Sequence, residues 1–159
     1  MSERSERGPS GPAEGHERDH SVLDLYDRIA ITDVVQRYAH GLDRRDWDMV
    51  AACFTADAQA TYGGTVLEPG VDNIIRHVRG LENINASTHF FGGSLIDLHG
   101  DEADVLTPAT VYLAYDDTVR TRGLRYQDRF VRQGDNWRIR VRVHMVDWMY
   151  ESPRLPLES

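Results

Sequence analysis

The sequence predicts an α+β fold in which three N-terminal helices pack on a curved, mainly antiparallel sheet and enclose a pocket between them. Three observations carry this. Apolar residues recur at helical spacing up to residue 78. After Gly80 the period changes to long stretches rich in Val, Thr, Tyr and Phe, separated by turn chemistry at His99-Gly100-Asp101, Asp116-Asp117 and Gln133-Gly134-Asp135-Asn136. The chain has 159 residues and no internal repeat, which fits one domain.

The elements follow in order. Residues 1–20 are rich in Ser, Glu, Arg, Gly and Pro and are expected to form a disordered tail, too polar to offset the entropy of ordering it. The folded domain is expected over 21–151, with a loose C-terminus over 152–159. Ser21 is a candidate cap for a helix over about 22–40, whose inward face is Ile31, Val34, Val35, Tyr38 and Leu42 and whose stop is Gly41. Asp46 caps a shorter helix with Trp47, Val50, Ala51 and Phe54 as its apolar stripe. Residues 58–62 form a short strand ended by Gly63-Gly64. Pro69-Gly70 opens a third helix with Val71, Ile74, Ile75 and Val78 inward. Four long strands are expected over 87–98, 103–115, 124–132 and 137–148, and Gly92-Gly93 marks a bend or bulge in the first.

Composition narrows the function. A formal charge of −8 disfavours a nucleic-acid or anionic-membrane partner, and no apolar run approaches the roughly 18 residues needed to span a bilayer. Residues 1–20 lack the apolar segment of a secretory signal. The lone Cys53 excludes an intrachain disulfide, and together these features point to the cytoplasm. Cys53 lies in an apolar run, so packing is expected of it rather than nucleophilic chemistry. His40, His77, His99 and His144 are dispersed without metal-ligand spacing, so no metal site is expected. No nucleotide or cofactor motif occurs either, and the expected chemistry is cofactor-free.

The residues suited to chemistry are an acid, a histidine and a tyrosine. Asp43 lies just past the expected helix end, where a break at Gly41 lets it swing toward the side that Tyr38 faces. Read alone, it is first of all an exposed loop acid pairing with Arg44 or Arg45. His89 alternates with Ser87 and Phe91 in a strand; in a pocket it needs an acid to orient its tautomer and support its imidazolium form, and Asp43 is the candidate. Tyr62, Phe54, Phe91, Tyr126, Arg129 and His144 are the candidate substrate-binding residues. Arg138, Arg140 and Arg142 alternate against Ile139, Val141 and Val143, which reads as a solvated outer row. The alternative is that Arg129 or Arg142 reaches a substrate carboxylate or holds the pocket together.

Five motifs carry a resemblance: Tyr38-x4-Asp43, Asp46-Trp47-Asp48, Phe54-x2-Asp57-Ala58, Ser87-Thr-His89-Phe, and Tyr126-x-Asp128-x-Phe130 running into Gly134-x2-Trp137-Arg-Ile139. Over residues 25–148 the chain resembles the SnoaL-like superfamily, which includes scytalone dehydratase, bile-acid 7α-dehydratase, hexachlorocyclohexane dehydrochlorinase and ketosteroid isomerase. The resemblance implies a cone-shaped α+β barrel. It implies a catalytic Asp/His dyad at Asp43 and His89, an aromatic donor at Tyr38 and a second pocket tyrosine at Tyr62. The function expected is a cofactor-independent lyase of the dehydratase type, acting on a small hydrophobic cyclic or polyketide-like molecule. The alternatives are an isomerase or polyketide cyclase with the same dyad, or a non-catalytic binding or structural subunit. A homo-oligomer, trimer or dimer, is expected.

Overall fold

Ile31, Val35, Tyr38, Ala39 and Leu42 are all buried, so one face of the first helix is core from end to end of its packed part. In the computed structural model, which describes residues 14–155 and side chains from 22 onward, that helix is α1 (Glu14–Arg44). It starts inside the stretch expected to be tail, so Ser21 is an interior helical residue and not a cap; residues 1–13 lie outside the described part. Helix α2 (Trp47–Ala52) follows, its first turn capped by Asp46, whose Oδ1 accepts from the Met49 N–H.

Gly41 does not end α1. A Cβ there would stand 2.7 Å from Val50 Cγ2 and 3.2 Å from the Asp46 carbonyl, so the glycine lets α2 pack against the helix that runs on past it. The stop comes at Arg45, in the left-handed region at φ 59°. Asp46 N–H donates to the Gly41 carbonyl and Arg45 N–H to that of Leu42, the paired bonds of a Schellman end.

Strand β1 (Phe54–Tyr62) begins earlier than expected and takes Phe54 out of the α2 stripe. It turns through Gly63-Gly64, both at positive φ, into β2 (Thr65–Val66). Helix α3 (Val71–Val78) buries Ile74 and Val78 and leads through a 3₁₀ turn, Arg79–Asn83, into the main strands. The strand expected over 87–98 is two strands, β3 (Ala86–Phe91) and β4 (Leu95–His99), both antiparallel to β5 (Glu102–Ala114). Phe91 opposes Ala109 and Leu95 opposes Leu106, so Gly92, Gly93 and Ser94 face only Thr107 and Pro108: the bend falls at the double glycine. Strands β6 (Thr118–Gln133) and β7 (Asn136–Pro153) complete the sheet, and β7 outruns the expected end at residue 148. Residues 156–159 lie outside the described part.

The seven-stranded sheet has the order β2-β1-β7-β6-β5-β3, with β4 also on β5, and its pairings are antiparallel except β1 with β7. The three helices pack on it, as in cone-shaped α+β folds. Trp137 Nε1 and Arg132 both donate to the Asp27 carboxylate, at 3.0 and 2.5 Å, fastening α1 across the sheet.

Two slips in β7 set which residues face inward. Phe130 opposes Ile139 but Arg129 opposes Val141, leaving Arg140 as an extra residue; Gly123 opposes Trp148 but Leu124 opposes Val146, leaving Asp147 extra. Each bulge inverts the two-residue alternation beyond it. Trp137 and Ile139 face inward before the first slip, and Arg142 and His144 after it.

Gly41→Ala is expected to lower stability by about 1–2 kcal/mol. Overpacking against the fully buried Val50 exceeds the gain in helix propensity. A urea midpoint at or above that of the native chain would contradict this.

Candidate active site

Strand β3 is a sheet edge, so alternate N–H groups along it point away from β5 without a ladder partner. The last turn of α1 meets that edge. There Asp43 Oδ2 accepts from the His89 N–H at 2.8 Å, and Asp43 Oδ1 lies 2.6 Å from His89 Nδ1 and accepts from Ser87 Oγ at 2.9 Å. Arg45 extends the relay. Its Nη1 donates to Ser87 Oγ at 2.7 Å and to the Leu42 carbonyl at 2.6 Å, and its Nη2 to the Ile84 carbonyl at 3.3 Å. These bonds offset the left-handed backbone at Arg45.

The meeting of Asp43 and His89 thus needs no helix break. Asp43 stays on the helix flank, 23% exposed, and the His89 side chain, 5% exposed, stands between it and a cavity. With Nδ1 on the carboxylate, Nε2 is the ring nitrogen left without a partner among the described residues. Burial alone would raise the Asp43 carboxyl; the hydrogen bonds from the His89 side chain and backbone, the His89 charge and the Ser87 hydroxyl outweigh it and hold the group below the usual carboxylate range.

The cavity, about 410 Å³, lies between α1, α3 and the sheet. Tyr38, Tyr62, Tyr126, His89 and His144 all line it. Tyr62, His144 and Tyr126 form one rung across β1, β7 and β6. The Tyr38 and Tyr62 hydroxyls share a hydrogen bond of 2.9 Å. Burial first, and neighbouring phenols next, raise the Tyr38 hydroxyl; burial raises those of Tyr62 and Tyr126 against the pull of Arg142, so all three remain protonated donors.

Behind this wall, Arg142 and Asp128 form a pair with no exposed side-chain surface, at 2.8 Å (Nε to Oδ1) and 2.6 Å (Nη2 to Oδ2). The guanidinium lies 4.0 Å from the Tyr38 ring centre and 4.4 Å from that of Tyr126. Burial opposes its charge, but the Asp128 carboxylate prevails and keeps it protonated.

A SnoaL-like domain profile matches residues 24–143. The chain belongs to the SnoaL-like family. An uncharacterised protein of Mycobacterium tuberculosis is 30% identical over 130 residues, 77% of this chain and 87% of that one. Among solved structures, a protein of Novosphingobium aromaticivorans provisionally assigned as a scytalone dehydratase superposes with a TM-score of 0.77 at 19% identity, over 82% of this chain and 90% of its own. The hexachlorocyclohexane dehydrochlorinase LinA-type3 of Novosphingobium barchaimii does so with 0.73 at 16% identity, over 87% and 97%. At such identities the superpositions establish the fold.

Within this SnoaL-like cavity, three of the expected substrate-binding residues are misplaced. Phe54 and Phe91 are buried behind the wall, packed against the Tyr38 ring, and do not line the cavity. Arg129 is on the opposite face of the sheet, exposed and 3.4 Å from Asp104, because it alternates with the inward Asp128 and Phe130. Arg142, expected in a solvated row or alternatively in the pocket, is turned inward by the bulge at Arg140. Arg122 and His77, which also line the cavity, are not among the expected site residues. Cys53 is buried, and burial pushes its thiol up to about 11, as suits a packing residue. Among the described residues no helix is long and apolar enough to cross a membrane, and no three His, Cys, Asp or Glu side chains gather to hold a metal.

Two outcomes test this arrangement. Asp128→Ala is expected to cost about 3–5 kcal/mol by stranding the Arg142 charge, and the double change Asp128→Leu with Arg142→Met much less. Equal losses in urea denaturation would refute the pairing argument. The second outcome concerns His144, which burial, then Arg142 and Arg122, push down to about 4 from 6.5. Between those values the unfolded chain binds a proton that the folded chain refuses, so stability should fall by about 3 kcal/mol as pH drops from 6.5 to 4. His144→Phe should flatten most of that slope. The Asp43 contribution is lost only at lower pH, because its folded value is depressed.

Proposed function

We propose that the protein is a cofactor-independent lyase of the dehydratase type, with Asp43 and His89 as its proton-transfer pair. The observation that carries this reading is the 2.6 Å contact between Asp43 and His89 Nδ1, made by a carboxylate that Ser87 and the His89 N–H also hold. An imidazole so oriented presents Nε2 to the cavity as a base, and the carboxylate supports the imidazolium that forms.

The step balances without an outside reagent. His89 Nε2 takes a proton from a carbon next to an activating carbonyl. The C–H electron pair becomes the new C=C bond as the C–O bond to a neighbouring hydroxyl breaks. The departing hydroxide receives a proton from the imidazolium and leaves as water. Tyr38 and Tyr62 have two hydroxyl hydrogens and use one between themselves, so the other polarises the carbonyl or the leaving hydroxyl. Leu113, Leu124 and Val146 in the wall suit an apolar cyclic substrate.

Turnover of a panel of cyclic β-hydroxy ketones, followed by mass spectrometry, tests the reading. The product should be lighter by one water, and His89→Ala or Asp43→Asn should lower kcat by about 10²–10⁴-fold with thermal unfolding of the variants still cooperative. Native turnover in both variants would eliminate the dyad. A product of unchanged mass would move the assignment to an isomerase or cyclase using the same pair.

A further inference from the structure

His89, Val111, Arg122 and Met149 form a single rung across β3, β5, β6 and β7, each opposing the next. All four line the cavity. A guanidinium therefore shares the inner face with the histidine, its backbone two strand spacings away, roughly 10 Å.

This guanidinium differs from those of the other arginines on β6: Arg120, Arg125, Arg129 and Arg132 each pair with a carboxylate. Arg122 has no carboxylate partner among the described residues, and its Nε is buried without a hydrogen-bond acceptor. No Asp or Glu lines the cavity. Asp43 and Asp128, behind its lining residues, are engaged, the first by His89 and Ser87 and the second by Arg142. On the adjacent strand, His144 is held down first by burial, then by Arg142 and Arg122.

We propose that Arg122 is an anion-recognition residue of the cavity, and that the ligand is a small ring-bearing carboxylate held with its carboxylate on Arg122 and its ring toward His89. A carboxylate accepts from Nε–H and an Nη–H side by side, which satisfies the buried donor and neutralises the charge in one contact. Leu113 on β5 and Leu124 on β6 supply hydrocarbon for the ring. This assignment rests on the cavity being the substrate site and adds the substrate class to it.

Titration calorimetry at fixed ionic strength on the full chain, with 2-naphthoate and its uncharged counterpart 2-naphthamide, tests it. The native protein should bind the carboxylate about tenfold more tightly than the amide, and Arg122→Gln should bring the two within about twofold by weakening the carboxylate alone. Arg122→Lys should retain part of the preference. His89→Gln should leave the preference intact, so a failed dyad and a failed anion site give different results. Equal affinities in the native protein, binding of neither compound, or a preference that survives Arg122→Gln would overturn the proposal.

Discussion

The buried pair of Arg142 and Asp128 is the constraint on which the rest of the site depends. Two full charges with no exposed side-chain surface are tolerable only when they are paired, and the two-point contact at 2.8 and 2.6 Å pairs them, with the Arg142 Nη1 left over against the aromatic rings. Because the residues oppose each other on β6 and β7, the pair fixes the register of the two longest strands at the point where the cavity begins. The guanidinium then serves as a floor against which the rings of Tyr38 and Tyr126 stack. One interaction thus locks the sheet, positions two of the three cavity phenols and places a positive charge beneath them.

A second tie joins helix to sheet. The end of α1 is pinned to the β3 edge by Asp43, and the strained turn at Arg45 is held by the side chain that orders Ser87. Strain and site share the same residues, so a change that relaxes the turn also loosens the carboxylate. The edge of the sheet, elsewhere a place for unwanted strand pairing, is here occupied by an acid from the protein's own helix.

Much of this was legible in the sequence, for identifiable reasons. The period-3.6 face of Ile31, Val35, Tyr38 and Leu42 and the change to period 2 after Gly80 are local properties, and they yield the α+β class. The motif Tyr38-x4-Asp43 with Ser87-Thr-His89 named the residues that the fold brings within 2.6 Å, although the expected route, a break at Gly41, was mistaken. Gly41 reads as a stop because helix ends favour glycine; its actual cause, the closeness of Val50, is a tertiary contact. The inward place of Arg142 stood only as the alternative to a solvated row, because a hydrophobic alternation says nothing of where a ladder slips. Ile139, Val141 and Val143 look like one inward row until the partner strand shows Arg140 to be supernumerary. Arg122 carried no motif at all, since an unpaired cation is defined by what fails to surround it.

The bulge at Arg140 works as a frameshift in the side-chain pattern of β7. With it, the cavity receives a histidine, and an arginine comes to lie behind its wall; in the other frame the same strand would turn Val141 and Val143 inward, and this part of the wall would become hydrocarbon. A one-residue deletion is therefore worth more to the chemistry of this cup than most substitutions. Such a fold has a ready path between a polar reaction vessel and a simple carrier of greasy molecules, and relatives with the same outline need not share a trade.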